Sequence, residues 1–210
     1  EEQIAAEMVR ELCEGIGDTG ICAGVIGEIG TGDPIHPNEV KSLRAAALAH
    51  RQTGASLQIH TYPWGTTGHE VLDVLMALDV DPARVVICHI DVEFNIPYIK
   101  ELLRRGAYVE FDNFGKEFYI DSKDRLGFTG GAFATDLERV RVIKELVAAG
   151  FEKRILITND LCLKQMLHRY GGWGYDHIIS HILPMMIDEG IPENIAWSMM
   201  QDNPADWLCS

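Results

Sequence analysis

Five short apolar runs alternate with stretches of helical periodicity along this chain, and that alternation leaves few folds open. The runs cover residues 21–26, 56–59, 84–88, 107–111 and 154–158. Strands that are apolar throughout are buried on both faces, as in a parallel sheet. Between and around them, helices are expected at 4–16, 37–52, 68–78, 96–105, 136–149, 176–189 and 193–200. Pro37 falls in the first turn of its helix and Gly54 just past the end, and Asp136 is placed as an N-cap with Gly150 closing the same helix. A spacing of about 30 residues per unit fits βα repeats. The expected fold is therefore α/β, in one domain spanning residues 1–210. The connection 113–135, which contains Gly127, Gly130 and Gly131, has no clear periodicity; structureless loops of that length are usually functional lids or disordered.

Each run delivers a polar group at its C-terminal end. The first ends in Gly27-Glu28-Ile29-Gly30, the second in Ile59-His60, the third in Cys88-His89, the fourth in Glu110-Phe111-Asp112-Asn113 and the fifth in Thr158-Asn159-Asp160. In (β/α)-barrels the active site is built at this face, from the ends of several strands. Only 8 of the 210 residues are histidine, so finding two of them among five strand ends points away from coincidence. Two imidazoles and two carboxylates that converge suit a divalent transition metal such as zinc. A metal would also remove the cost of burying the carboxylates unpaired. The remaining histidines, at 36, 50, 69, 168, 177 and 181, fall on helices or loops and are expected to be non-ligands.

The formal charge of −14 argues against a polyanionic partner, since the basic residues are scattered. No apolar run approaches the ~18 residues of a membrane span, and the opening residues lack the basic and apolar regions of a signal peptide. The five cysteines form no CxxC pair, which fits free thiols in a reducing compartment. A cytoplasmic protein is expected, with a small-molecule substrate and neither nucleic acid nor membrane as partner.

The ordered set Asp18-Thr19-Gly20-Ile21, Ala23-Gly24-Val25-Ile26, His60-Thr61, Cys88-His89-Ile90-Asp91, Ile157-Thr158-Asn159-Asp160 and Asn203-Pro204 resembles the phosphotriesterase family of the amidohydrolase superfamily. The resemblance runs along nearly the whole chain and is closest to the phosphotriesterase-homology branch. It implies a (β/α)8 TIM barrel with two divalent metal ions, expected to be zinc, that activate a bridging hydroxide to attack a lactone, ester, amide or phosphoester. It also implies that His60 and His89 bind the more exposed metal, that Glu28 bridges in place of the carboxylated lysine of many members, and that Asp160 binds the buried metal and takes the proton onward. Asp91, two residues after His89, is expected to relay that proton or to orient a ligand from behind. Asn113, Lys116 and Tyr119 are expected to touch substrate, and Trp64 and the aromatic loop 170–175 to line the pocket. A carbonyl ester, lactone or amide is expected rather than a phosphotriester, and a homodimer at full length.

One departure from the family pattern is large. No His-x-His pair occurs, and counting back from Glu28 places the start of the chain after the third barrel strand. The expectation is thus an incomplete barrel of strands 4–8 that binds metal poorly and is inactive alone. A non-catalytic remnant and a mononuclear hydrolase with a structural Glu28 stay open as alternatives. A Schiff-base enzyme is disfavoured, because no strand ends in lysine.

Overall fold

The computed structural model describes residues 1–120 and 131–209. The strands, in chain order, are β1 (Ile26–Gly30), β2 (Leu57–His60), β3 (Val85–Ile87), β4 (Tyr108–Phe111), the short β5 (Tyr119–Ile120) and β6 (Gly131–Ala132), and β7 (Ile155–Ile157). Five of them form one parallel sheet in the order β1-β2-β3-β4-β7. The helices are α1 (Glu2–Cys13), α2 (Pro37–Thr53), α3 (Gly68–Met76), α4 (Ile96–Arg104), α5 (Asp136–Ala148), α6 (Leu183–Asp188), α7 (Glu193–Ser198) and α8 (Asp202–Cys209). The fold is α/β with a parallel sheet. No helix of the described residues is long and apolar enough to cross a membrane.

Side chains alternate across a strand, so each one feeds two layers. Leu57 and Ile59, Val85 and Ile87, Val109 and Phe111, and Ile155 and Ile157 enter the main core, where they meet Leu43, Leu72, Ile99, Leu102 and Ile143 of the helices. The opposite face carries Gln58, Cys88 and Glu110 towards the strand ends. Below them lies a smaller apolar cluster of Val86, Tyr108 and Leu156 closed by Trp207. Trp207 belongs to α8, a helix the periodicity had not marked. This helix seals the starts of the strands: Trp207 Nε1 donates to Arg84 O, Ser56 Oγ donates to Trp207 O, and Asn203 Nδ2 donates to Ile155 O. The opposite end of the sheet is left for chemistry.

The first strand lies further along than its apolar run. Residues 21–25 are not a strand, and Ile21 is 68% exposed. The backbone explains the shift. Ile16 N–H donates to Ile21 O and Ala23 N–H to Glu11 O, so this stretch spends its hydrogen bonds on α1 and its turn. Pairing with the neighbouring strand begins only where Ile26 N–H reaches Ser56 O.

Two other elements differ from expectation. The helix expected over 176–189 starts with π geometry at Ile178–Ile182 before α6, which carries Pro184 in its first turn. Proline has no N–H to bond back to the preceding turn, which favours such a widening. Within 113–135, β5 and β6 pair antiparallel; residues 121–130, with Gly127 and Gly130, lie outside the described residues.

The N-cap of α5 is Thr135, not Asp136. Its hydroxyl accepts from Glu138 N–H, and the Glu138 carboxylate accepts from Thr135 N–H. Thr135→Ala is expected to cost about 1 kcal/mol, read as a lower urea midpoint at unchanged slope.

Candidate metal centre

Glu28 sits on an irregularity in β1. Ile26 pairs with Leu57 and Ile29 with Ile59, so three steps along β1 match two along β2. Such a bulge re-aims the side chain it carries. Gly27 permits it: a Cβ there would fall 2.7 Å from Gln58 O. The bulge directs Glu28 towards the ends of β2 and β3, where it meets two imidazoles.

His60 closes β2, and its carbonyl is held by both the N–H and the hydroxyl of Thr31. His89 follows β3. Its Nε2 lies 2.8 Å from His60 Nδ1 and 3.1 Å from Glu28 Oε1, and His60 Nδ1 lies 3.8 Å from Glu28 Oε2. One ligand atom from each residue falls within 4.8 Å of the other two. Nitrogen and oxygen donors at ~2.0–2.1 Å from a tetrahedral ion stand about 3.3 Å apart. The three separations bracket that figure, so the donor set fits a divalent ion.

His89 is fixed from behind. Asp112, at the end of β4, accepts from both the backbone N–H and Nδ1–H of His89, each at 2.9 Å. That bond leaves Nε2 to face Glu28 and His60, the arrangement that orients a metal-ligating histidine. Burial alone would push the His89 imidazole down, but the carboxylates of Asp112 and Glu28 outweigh it and hold it up to about 11. Glu28 responds in the opposite sense. His60 and His89 hold its carboxyl well below the usual range, and His89 is the nearer of the two.

Two of the three positive-φ non-glycine residues among those described are His89 (61°) and Asp160 (34°). Left-handed backbone costs ordinary residues ~1–3 kcal/mol and clusters at functional sites. Asp160 follows β7 and stands outside the group of three. Its carboxylate accepts from Lys116 Nζ, and it lines one cavity with His60 and His89 and a second with Glu28, Glu110 and Asp112.

Beneath the donor set lies a buried acidic layer. Glu110 accepts from Gln58 Nε2 at 2.9 Å and from Cys88 Sγ at 3.1 Å. Burial, then the neighbouring Asp112, pushes the Glu110 carboxyl up to about 7, and burial pushes the Cys88 thiol well above its usual value. A carboxyl raised by folding favours the protonated folded state, so its contribution is full below the unfolded value of 4.5 and is lost as pH rises through about 7. Glu110→Gln is expected to remove this loss. The gap between the urea midpoints at pH 5 and pH 8 should narrow in the variant relative to the parent chain.

The other expected site residues separate into two groups. Asn113, Lys116 and Trp64 line the chamber beside His60, which encloses about 230 Å³. Tyr119 points outward and is 68% exposed, while its neighbours Phe118 and Ile120 face the chamber. Trp173 of the aromatic loop lies against His177 in an adjoining cavity, and Tyr170 and Tyr175 are exposed. Asp91 is fully buried and bonds Asn113 and Arg139 rather than a histidine. Asp112 holds His89, and sequence reasoning gave it no role. Its position at the fourth strand end, beside two histidine-bearing ends, was the available signal.

The molecule is thus an α/β protein with a carboxylate–imidazole donor set at the C-terminal ends of a parallel sheet. Residues 1–208 match the family model described as the phosphotriesterase family, and the chain belongs to that family. It is 36% identical to a phosphotriesterase-related protein of Nematostella vectensis and 31% identical to the N-acetyltaurine hydrolase of Xenopus tropicalis, in each case over 99% of this chain and 58% of the relative. The crystal structure of the Escherichia coli phosphotriesterase homology protein, complexed with phosphate in its active site, superposes with a TM-score of 0.86. It is 33% identical, over 99% of this chain and 67% of that one. The chain therefore spans a little over half the length of the relatives it matches.

Proposed function

We propose that this chain carries the C-terminal five βα units of an eight-stranded barrel hydrolase that cleaves small amides, with N-acetyltaurine as the first substrate to test. The observation that carries the reading is the convergence of Glu28, His60 and His89. Three protein donors leave one position of a tetrahedral ion open, which is how catalytic zinc sites are built. When bound, a divalent cation supplies Lewis acidity and lowers the pKa of water near neutrality. Asp112 sets the tautomer of His89, and Glu28 brings the negative charge. Asp160, at the mouth of the chamber, is the group placed to accept a proton and pass it outward. Trp64, Phe118 and Phe133 form an apolar wall beside this polar floor. Glu28 and Asp160 would hold a second ion, with its remaining ligands drawn from outside these 210 residues.

The amide reading rests on relatives named for hydrolysis of N-acetyltaurine. It is tested by release of taurine from N-acetyltaurine, alongside a lactone and a phosphotriester, in the protein extended to its relatives' length. Turnover is expected on the amide, lost to a chelator and restored by zinc. Turnover confined to the lactone or the phosphotriester would reject the amide assignment while leaving the metal centre standing.

A further inference from the structure

Among the described residues, Lys116 is the single lysine or arginine side chain that lines the chamber, and it is almost wholly buried. Its stem comes from the loop after β4, which is anchored on both sides. Asn113 is bonded to Asp91 and Asp112, Gly115 N–H donates to Asp136, and Arg139 reaches the carbonyl of Lys116. The backbone that carries the ammonium is therefore held in place. Its partner is the Asp160 carboxylate, which is 38% exposed and faces two ways. On one side it meets Lys116 and the chamber, on the other the cavity that holds Glu28 and His89.

A carboxylate placed between a fixed monovalent ammonium and a donor set for a divalent cation is open to competition. Coulomb attraction scales with charge, so a divalent ion in the cavity shared by Asp160, Glu28 and His89 competes with the ammonium for this carboxylate. Lys116 would then be left buried without a counter-ion, a costly state for an ammonium in such a wall. The cost is met if the chamber's ligand brings an anion. We infer that Lys116 is an anion site opened by the metal: cation loading draws Asp160 away, and the freed ammonium binds the acidic end of the substrate. The inference rests on the metal reading of Glu28, His60 and His89, and it deepens the proposed function. It assigns as substrates small amides with a sulfonate or carboxylate on the side of the molecule away from the scissile carbonyl, with Trp64, Phe118 and Phe133 holding the apolar part.

The test uses propane-1-sulfonate, which cannot be hydrolysed, and its neutral analogue methyl propyl sulfone. Binding to the protein extended to its relatives' length is measured by calorimetry with and without zinc, and zinc affinity is measured separately by chelator competition. Sulfonate affinity is expected to rise about tenfold or more on adding zinc, within the usual range for coupled sites, while the neutral analogue shows no comparable gain. Lys116→Met should lose the gain and keep zinc binding, and Lys116→Arg should retain part of it, which separates charge from folding. Asp160→Asn should bind sulfonate without zinc about as tightly as the loaded parent. Equal affinity with and without zinc, a gain that survives in Lys116→Met, or no gain in Asp160→Asn would each overturn the inference. If zinc does not bind at all, the metal reading fails, and the Asp160→Asn arm still decides the role of Lys116.

Discussion

Arg139→Met is expected to destabilise the chain by about 3–5 kcal/mol, the largest loss anticipated for any single substitution here. Arg139 is fully buried. Its Nε donates to Asp91 at 2.9 Å and its Nη1 to Asp136 at 3.0 Å. Asp91 in turn accepts from the backbone and side chain of Asn113, and Asp136 from Gly115 N–H and His177 Nε2. Methionine fills similar volume but strands two buried carboxylates, and removing one partner of such a network costs far more than the pair contributes. The network also fixes the loop that carries Asn113 and Lys116, so the chamber should loosen along with the fold. Urea unfolding gives the loss directly. A double variant, Arg139→Met with Asp91→Asn, should recover part of it, because one stranded charge is then removed. A single variant within 1 kcal/mol of the parent would mean that the network carries little of the stability.

The second large effect concerns protons. His89 is held protonated up to about 11, so an incoming divalent ion must displace that proton. Zinc affinity in the chain is therefore expected to rise about tenfold per pH unit between pH 6 and pH 8, or about a hundredfold across that interval. The sign follows from the raised value: below about 11 the folded site holds a proton where the ion would bind, and raising the pH weakens that competition. Asp112→Asn keeps an acceptor for Nδ1–H and removes the charge that raises the imidazole. In this variant the slope should flatten towards pH 8. Chelator competition at several pH values reads the slope, which reports the proton whatever the affinity at any one pH. A pH-independent affinity in the parent chain would contradict the account of His89.

Much of this arrangement is legible from residue order. Apolar runs of strand length that end in Glu, His, His and Asp locate the functional face, because a parallel sheet buries its strands and releases polar groups only at their ends. The placing of Glu28 is less direct. It depends on an extra residue in β1 and on Gly27 lying close to Gln58, a backbone feature with no periodic signature. The run at 21–26 misleads because its apolarity outlasts its pairing: α1 takes the hydrogen bonds that a neighbouring strand would need. Arg139 reads in sequence as one charge among several on a helix, and only the meeting of α5 with Asp91 shows it to be fully buried. Asp91 and Asp112 are alike as residue types near strand ends. Which of them reaches His89 is decided by register between β3 and β4, where Val86 faces Tyr108 and Ile87 faces Val109. Trp207 lies beyond the last periodic segment, and its role appears only once it is seen closing the strand starts.

Zinc titration of the chain against a chromophoric chelator, with Glu28→Gln, His60→Ala and His89→Ala measured beside the parent, decides whether the three residues form a metal centre. One ion is expected to be held by the parent chain, with an affinity at least about tenfold weaker in each variant and circular dichroism unchanged. Equal affinity in the parent and all three variants would show that these residues, though gathered at one point, do not form a metal centre.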